Sequence, residues 1–320
     1  MESMKQPMKV LLHYDAGPAW RRKVASLADR GLHVECCAES DDAVFDALLP
    51  ETEVVWHLLR PLSAIDVAKA KKLRLIQKIG VGVNTIDLKA AQERNIAVCN
   101  MPGSNSRAVA ELTLLLMLAC LRRLPLLDRM TREGRGWSLD SSLQDTFGEL
   151  GGRTVGFVGY GSIPQILTPA LSALGANVIY TATAPKSIDG VRFRSLPDLL
   201  SEADIVSLHT PLTAATTKLI DRDRLASMRP GAILINTARG GLVDQSALID
   251  ALRSGQLGAA GLDVFEAEPI VDNPLLQLDN VVVLPHLAWL TVNTLQRSLD
   301  IAVENCRRLA AGEALLHRVV

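Results

Sequence analysis

Short apolar runs alternate with amphipathic stretches along the first hundred residues. The runs are rich in β-branched residues and predict buried strands, whereas the stretches between them have helical spacing. Strands are predicted at residues 8–13, 33–37, 53–59, 75–79 and 96–99, and helices at 19–30, 41–49, 65–71 and 88–94. Strands that alternate with helices over short connections indicate a parallel sheet covered on both faces. This unit should end near residues 100–103.

The alternation resumes after one long apolar helix. This helix is predicted over residues 104–130, and its segment 112–121 is apolar nearly all round, as expected in a core or a subunit interface. Strands are predicted at 154–158, 177–180, 204–208, 232–236, 258–264 and 281–284, and helices at 163–174 and about 292–311. Because parallel sheets bind ligands at their carboxyl ends, the segments after these strands should converge on one site.

Composition limits the class of protein. A length of 320 residues, 48% of them hydrophobic, suggests about two globular domains. The net charge of −1 gives no reason to expect nucleic acid or a membrane surface as a partner. Residues 1–9 lack the apolar core of a secretion signal, and the longest apolar run is too short to span a bilayer. Five cysteines without CxxC spacing predict a reduced, cytoplasmic protein without a metal site.

A glycine turn follows the predicted strand 154–158. The order of strand, Gly159-Tyr-Gly161 and helix is typical of a site in which a helix N-terminus holds a dinucleotide pyrophosphate. Gly159, Gly161, Ser162 and Ile163 are the expected contacts. Pro164 stands where the third glycine of the fingerprint is expected. Proline is tolerated in a first helical turn, so we expect cofactor binding with a slightly displaced helix start.

Three later strand-end segments supply an arginine, a histidine and acids. Arg239 could hold a carboxylate and polarise the adjacent carbonyl of a 2-oxo acid. His286 could supply the proton as hydride arrives, and Glu266 or Glu268 could orient its ring. Each residue alone is more often a loop or surface group. Their joint position at strand ends, downstream of a dinucleotide turn, favours reduction of a 2-oxo acid.

These motifs resemble the D-isomer-specific 2-hydroxyacid dehydrogenases, which act on glycerate, glyoxylate or hydroxypyruvate, lactate, phosphoglycerate and formate. The resemblance runs from about residue 75 to 300. Its most specific blocks are Asn236-Thr-Ala-Arg-Gly-Gly241 and Leu262-Asp-Val-Phe-Glu-Ala-Glu-Pro269. Further blocks are Gly80-Val-Gly-Val-Asn-Thr-Ile-Asp87, Asn105-Ser-Arg-Ala-Val-Ala-Glu111, Gly156-Phe-Val-Gly-Tyr-Gly161, His209-Thr-Pro-Leu-Thr213 and Pro285-His286.

The resemblance implies a role for individual residues. Arg239 would bind the substrate, His286 would be the acid/base, and Glu268, before Pro269, would be its partner in preference to Glu266. Asp263 would hold the nicotinamide carboxamide. Other implied cofactor contacts are His209, Thr210, Pro211, Thr237 and Ala238. Candidate substrate contacts are the backbone nest at Val81 and Gly82, the side chain of Arg60 and Trp289. The alternative for Arg60 is a solvated loop position, and a buried packing role is at least as compatible with Trp289.

The resemblance also implies a fold of two doubly wound parallel-sheet domains with a cleft between them. A discontinuous, flavodoxin-like substrate domain would hold residues 1–101 and 291–320, and a Rossmann NAD(P)-binding domain would hold 102–290. The apolar helix 104–121 suggests a homodimer, which is also the usual assembly of the family. For Arg107, at the start of this helix, a salt bridge at the domain junction is favoured. The alternatives are that it adds a positive charge to the pocket or contacts a cofactor phosphate.

Cofactor choice depends on the segment after the strand 177–180. NAD-binding members carry an acid there for the adenosine ribose, and residues 180–186 contain none. Thr181, Thr183 and Lys186 could instead hold a 2′-phosphate, so NADP is favoured over NAD. The expected activity is reduction of a small 2-oxo acid of the glyoxylate or hydroxypyruvate type. The alternatives are action on phosphoglycerate or formate, or a cofactor-sensing protein that resembles the co-repressors of this family.

Overall fold

The computed structural model describes residues 6–320 and divides into two compact units. The first unit holds the chain up to Asn105 together with Thr291–Val320, and the second is Ser106–Leu290. The division falls at 105/106, whereas the sequence placed it at 101/102. A five-stranded sheet lies in the first unit and a seven-stranded sheet in the second. The predicted α/β class with two doubly wound sheets is therefore confirmed. Of the N-terminal segment in which no secretion signal was expected, residues 1–5 lie outside the described residues.

The sheet of the first unit is parallel throughout, with the order β2-β1-β3-β4-β5. Its strands are β1 (Met8–His13), β2 (Leu32–Cys37), β3 (Val54–His57), β4 (Leu75–Lys78) and β5 (Ala97–Cys99). The helices between them are α1 (Pro18–Ala25), α2 (Asp42–Leu48), α3 (Ala64–Lys69) and α4 (Leu88–Glu93). This is the strand order of flavodoxin-like folds.

The second sheet has the order β12-β11-β10-β9-β6-β7-β8. Its strands are β6 (Thr154–Val158), β7 (Asn177–Thr181), β8 (Arg192–Phe193), β9 (Ile205–Leu208), β10 (Ala232–Asn236), β11 (Leu257–Leu262) and β12 (Val281–Val283). The helices are α5 (Ser106–Leu121), α6 (Leu124–Arg132), α7 (Ser141–Gln144), α8 (Ser162–Ala173), α9 (Leu196–Glu202), α10 (Arg222–Ser227) and α11 (Gln245–Arg253). The strand order reverses between β6 and β9, which is the dinucleotide-binding switch point of doubly wound folds. No bounds were predicted for β8 or for the helices α7, α9, α10 and α11.

The last helix, α12 (Val292–Ala311), returns the chain to the first unit. Asn305 is buried on this helix, and its amide nitrogen donates to the side-chain oxygen of Gln77 on β4 at 2.6 Å. Beyond the helix, the N–H of Val319 donates to the carbonyl of Val98 at 2.7 Å, beside β5. These bonds explain why the first unit is built from both ends of the chain.

The prediction of one continuous helix over residues 104–130 is wrong. The structure has α5 and α6 instead, and Arg123 between them adopts the left-handed φ of 51°. Pro125 is the physical reason, because it lacks the N–H that a continuing helix needs and its ring collides with the preceding turn. It is accommodated in the first turn of α6. The predicted helix 19–30 is likewise shorter, since α1 ends at Ala25 and Ser26–Arg30 form a 3-10 turn.

Each sheet packs its apolar side chains into its own core. Among residues 6–320, none of the helices combines the length and apolar character that a membrane span requires. The described residues also contain no group of three or more histidines, cysteines or acids placed to hold a metal ion. All five cysteines are free thiols.

Candidate active site

The loops that follow β11 and β12 bring a carboxylate and an imidazole into contact as a dyad. Nδ1 of His286 lies 2.7 Å from Oε2 of Glu268, and Oε1 of Glu268 accepts the N–H of Phe265 at 2.9 Å. Burial tends to raise the pKa of Glu268, but this pKa is held below its usual value. The causes are the hydrogen bond and charge of His286, the Phe265 amide and the charge of Arg239. Glu268 is therefore ionised at neutral pH and suits an imidazolium as its partner.

The backbone of His286 is held as firmly as its ring. His286 has the left-handed φ of 56°, which residues other than glycine adopt uncommonly. Its N–H donates to the carbonyl of Asp263 at 2.8 Å. The buried carboxylate of Asp263 accepts the N–H groups of Leu287 and Ala288, one on each oxygen, both at 2.8 Å. Burial raises the pKa of Asp263, and the two amides partly oppose this. Asp263 thus shapes the His286 loop, and its expected contact with a carboxamide stays a prediction.

Arg239 lies in a loop whose shape depends on two neighbours. The side chain of Asn236, at the end of β10, donates to the carbonyl of Arg239 at 2.9 Å and accepts a loop N–H at 3.0 Å. A Cβ on Gly240 would overlap the carbonyl of Phe265, so glycine permits this loop to approach the one that carries Glu268. Burial lowers the pKa of the Arg239 guanidinium, and the charge of Glu268 opposes that change. The positive charge of Arg239 therefore acts on the dyad.

The two glycines of the turn after β6 have different surroundings. Gly159 has a φ of 93°, and a Cβ there would lie 2.5 Å from the carbonyl oxygen of His209. No described atom lies within 4 Å of a Cβ built on Gly161, which precedes the first residue of α8, Ser162. Pro164 is the third residue of this helix, where an N–H would have no intrahelical partner. The turn therefore fits a pyrophosphate at a helix N-terminus.

The loop after β7 returns its lysine to this glycine turn. Thr181 ends β7 and Thr183 is exposed. The backbone of Lys186 is tied to the hydroxyl of Tyr180, which accepts its N–H at 2.6 Å and donates to its carbonyl at 2.7 Å. Nζ of Lys186 donates to the carbonyl of Tyr160, between the two glycines, at 3.0 Å. The structure thus brings Lys186, one of the three residues expected at a 2′-phosphate, to the glycine turn.

The remaining cofactor residues predicted in this unit lie at the same sheet edge. Nε2 of His209 is 2.9 Å from the hydroxyl of Ser207, and burial lowers the pKa of His209 to about 3, so its ring is neutral. Thr237 is buried and shares a hydrogen bond of 3.1 Å with Thr113. Ile163, Thr210 and Ala238 are half-buried, and Pro211 is exposed. Their contacts with a cofactor stay predictions.

Comparison with known proteins places this geometry in a family. Residues 114–288, more than half of the chain, match the model described as D-isomer specific 2-hydroxyacid dehydrogenase, NAD binding domain. A glyoxylate reductase from Aeropyrum pernix is 39% identical over 272 residues, which cover 82% of this chain and 81% of that protein. The chain belongs to this family. Its second unit accordingly contains the family's domain for a nicotinamide cofactor.

Two further relatives show how far the similarity extends. The TT0316 protein from Thermus thermophilus is 39% identical, with a TM-score of 0.88 over 98% of this chain and 100% of that chain. A D-3-phosphoglycerate dehydrogenase from Mycobacterium tuberculosis is 40% identical over 297 residues, which cover 91% of this chain and 55% of that protein. The chain therefore spans about half the length of the phosphoglycerate dehydrogenases that it matches.

In this member of the family, three predicted substrate residues lie in the first unit. The N–H of Arg60 donates to Glu39 at 2.8 Å, and its guanidinium pairs with Asp42. Nη1 of Arg60 is buried and has no hydrogen-bond partner among residues 6–320. Val81 is exposed and Gly82 is half-buried in the loop after β4. The residues of the dyad belong to the second unit, so the substrate roles of these three stay predictions.

Of the three other candidates, Glu266 and Trp289 have partners of their own, and Arg107 is exposed. An oxygen of Glu266 lies 3.9 Å from Nζ of Lys218, so Glu268, and not Glu266, is the acid that contacts the histidine. Trp289 is buried, and its Nε1 donates to the carbonyl of His286 at 3.1 Å. Arg107 is exposed on α5, and the structure pairs it with no carboxylate in the described part of the chain.

Two residues that shape the Arg239 loop were not predicted from the sequence, although both stand in a block that characterises the family. Asn236 ends an apolar strand, and a buried amide at such a position must find hydrogen-bond partners. Gly240 directly follows the arginine, where a second glycine signals a close approach of two backbones. These two signals could have identified both residues as supports of the loop.

Proposed function

We propose that the protein is a nicotinamide-dependent oxidoreductase that interconverts a small 2-oxo acid and the corresponding D-2-hydroxy acid. Substrates of the glyoxylate or hydroxypyruvate type are favoured. The observation that carries this proposal is the contact of 2.7 Å between Nδ1 of His286 and Oε2 of Glu268, beside the charge of Arg239. Membership of the family and the similarity to a glyoxylate reductase support it.

The dyad supplies the proton in this proposal. Glu268 accepts the Nδ1 proton of His286, so Nε2 is the ring atom that gives its proton to the carbonyl oxygen of a 2-oxo acid. The ionised Glu268 stabilises the imidazolium that holds this proton before reduction. In the reverse direction, the neutral imidazole takes the proton from the hydroxyl group of the hydroxy acid.

Arg239 binds and polarises the substrate. Its guanidinium can hold the substrate carboxylate with two parallel hydrogen bonds and draw electron density from the adjacent carbonyl. When bound, the nicotinamide donates or accepts the hydride at the carbon of this carbonyl. Because the guanidinium is largely buried, its attraction for an anionic substrate is weakly screened by water.

A panel of substrates tests the proposal. Glyoxylate, hydroxypyruvate, pyruvate, phenylpyruvate and 2-oxoglutarate are assayed with NADH and NADPH, and reduction of at least one is expected. The change His286→Ala should lower kcat by about 10²- to 10⁴-fold without weakening cofactor binding in calorimetry. His33→Ala, at an exposed position of β2, is the matched control. Failure on every substrate would reject the proposal and favour a cofactor-sensing binding protein.

The two units take different parts in this proposal. The second unit would hold the cofactor through the turn at Gly159 and Gly161. The first unit would hold the substrate through the N–H groups of Val81 and Gly82, as a nest for its carboxylate. Arg60 supports this assignment, because Nη1 is buried without a hydrogen-bond partner among the described residues and could bind an anion.

NADP is the proposed preference over NAD. Ala182 directly follows β7, where an acid would hold the ribose hydroxyls of NAD. The ammonium group of Lys186 lies on the glycine turn, where it could attract a 2′-phosphate, with Thr181 and Thr183 as additional donors. Values of kcat/KM for NADPH and NADH measure the preference. A clear preference for NADH would reject this part of the proposal without affecting the proposed reaction.

A homodimer is proposed through α5 and α6. Leu115 and Leu118 on α5 are 50% and 38% exposed, and Leu124 at the start of α6 is 50% exposed. Neighbouring exposed leucines are typical of a protein interface. Leu118→Glu should therefore convert a dimer into a monomer in analytical ultracentrifugation, whereas Val292→Glu, at an exposed position of α12, should not. A monomeric wild-type protein would refute the proposal.

A further inference from the structure

We propose that Trp289 positions His286 through its indole N–H. The Nε1 atom of Trp289 donates to the carbonyl oxygen of His286 at 3.1 Å, and the indole is buried, with 8% of the residue exposed. A tryptophan in a substrate wall would present its ring face to the substrate, whereas this one offers its N–H to the backbone of the proposed acid/base. The kinetic part of this inference rests on the function proposed above.

The contact completes a set of hydrogen bonds that fixes His286 in an unfavourable backbone conformation. The left-handed φ of 56° brings the Cβ of His286 close to backbone atoms, which is disfavoured for most residues other than glycine, although histidine adopts it more often than most. The N–H of His286 is held by the carbonyl of Asp263, and the next two N–H groups are held by the Asp263 carboxylate. The His286 carbonyl is the remaining backbone group of the residue, and Trp289 supplies its donor.

The conformation of this backbone decides where the ring atoms lie. Nδ1 of His286 meets Oε2 of Glu268 at 2.7 Å, which directs Nε2 of the same ring to the opposite side. Without the indole N–H, the carbonyl of His286 could turn, and the ring would leave the optimum contact with Glu268. Trp289 touches no reacting atom in this account, so it is a positioning residue.

The change Trp289→Phe tests the proposal because it keeps an aromatic ring and removes the donor, although it also removes part of the ring volume. We expect kcat to fall about tenfold to a hundredfold, as for a small misplacement of a catalytic group, while KM for the 2-oxo acid stays within about twofold. The control is Trp20→Phe. Nε1 of Trp20 is buried without a hydrogen-bond partner among residues 6–320, so the same change there removes no bond.

A spectroscopic measurement tests the same idea without turnover. The Nδ1 proton between His286 and Glu268 should give a strongly downfield proton resonance in the wild-type protein, identified by its loss in Glu268→Gln. Trp289→Phe should broaden or remove this resonance, and Trp20→Phe should retain it. A merely structural role of the indole would lower stability but leave this resonance in the folded protein.

The outcomes separate this proposal from the proposed function. If the wild-type protein reduces no 2-oxo acid, the proposed function fails, and the resonance still tests the role of Trp289. An unchanged resonance with unchanged kcat in Trp289→Phe would overturn the inference. A change confined to KM, or to selectivity between glyoxylate and phenylpyruvate, would also overturn it and favour a substrate wall. If Trp289→Phe fails to fold, benzothienylalanine at this position replaces the N–H by sulfur in the same shape, and both measurements apply to it.

Discussion

The buried His13 should make the first unit sensitive to acid, and His13→Leu should remove part of this sensitivity. His13 ends β1, is 1% exposed, and stacks on Phe45 with 4.3 Å between ring centroids. Neither of its ring nitrogens has a hydrogen-bond partner in the part of the chain that the structure describes. Burial lowers the pKa of His13 from 6.5 to about 4, the charge of Arg60 acts in the same direction, and three nearby aspartates oppose both.

The size and sign of the effect follow from this pKa. Because the pKa is lowered in the folded state, the unfolded chain binds more protons than the folded protein between pH 6.5 and about 4, so stability falls as the pH falls through this range. At pH 5, about 1.5 pH units below the ordinary value, and with about 1.4 kcal/mol per unit, His13 alone lowers the free energy of unfolding by about 2 kcal/mol relative to pH 7.

Urea unfolding at pH 7 and pH 5 measures this difference. Between the two pH values, His13→Leu should lose about 2 kcal/mol less stability than the wild-type protein. At pH 7 the variant should remain close to the wild type, because leucine replaces an imidazole that lacks hydrogen-bond partners among the described residues. His33→Leu, at an exposed position of the neighbouring strand, should lose as much stability as the wild type. Equal losses in His13→Leu and the wild type would refute the reasoning.

Three further changes test the geometry of the second unit. Gly240→Ala should lower kcat/KM by about a hundredfold, because its Cβ would force the arginine loop away from the dyad. The control Gly17→Ala should not lower it, because no described atom lies within 4 Å of a Cβ at that position. Glu268→Gln should lower kcat at neutral pH by about a hundredfold or more. Its pH–rate profile should also lack the acid limb that the wild type shows as the pH falls through the lowered pKa of Glu268, since protonation removes the negative charge beside the imidazolium. Tyr180→Phe should reduce kcat/KM for NADPH more than for NADH, because it frees the backbone of Lys186, and equal effects on both cofactors would contradict the proposed role of that lysine.

Hydrophobic periodicity predicted most of the fold because buried parallel strands are short continuous apolar runs. The strands β1 and β6 illustrate this, since each begins and ends at the predicted residues. Periodicity failed where a local backbone effect prevailed. The apolar pattern continues through residues 122–130, but the left-handed Arg123 and the proline at 125 divide the helix. A two-residue strand such as β8 is too short to carry any period.

The candidate site was predictable to the extent that strand ends determine it. Arg239, Glu268 and His286 all follow strands of one sheet, and the structure brings them together there. The contact of Lys186 with the glycine turn was harder to predict from the sequence, because it depends on the hydroxyl of Tyr180 at the end of a flanking strand. A bond of this kind is specified by the tertiary structure and leaves no periodic pattern in the sequence.

Polar side chains at this sheet edge share one structural task, which residue type alone could not disclose. Asn236, Asp263 and Glu268 each accept a backbone N–H from the loop that carries a proposed functional group. Glu268 in addition contacts the imidazole of His286. A carboxylate that shapes a loop and one that assists proton transfer look alike in a sequence, and they differ in what they contact. Replacing Asp263 should therefore disturb the position of His286. Replacing Glu268 should also remove the charge that stabilises the protonated ring of His286.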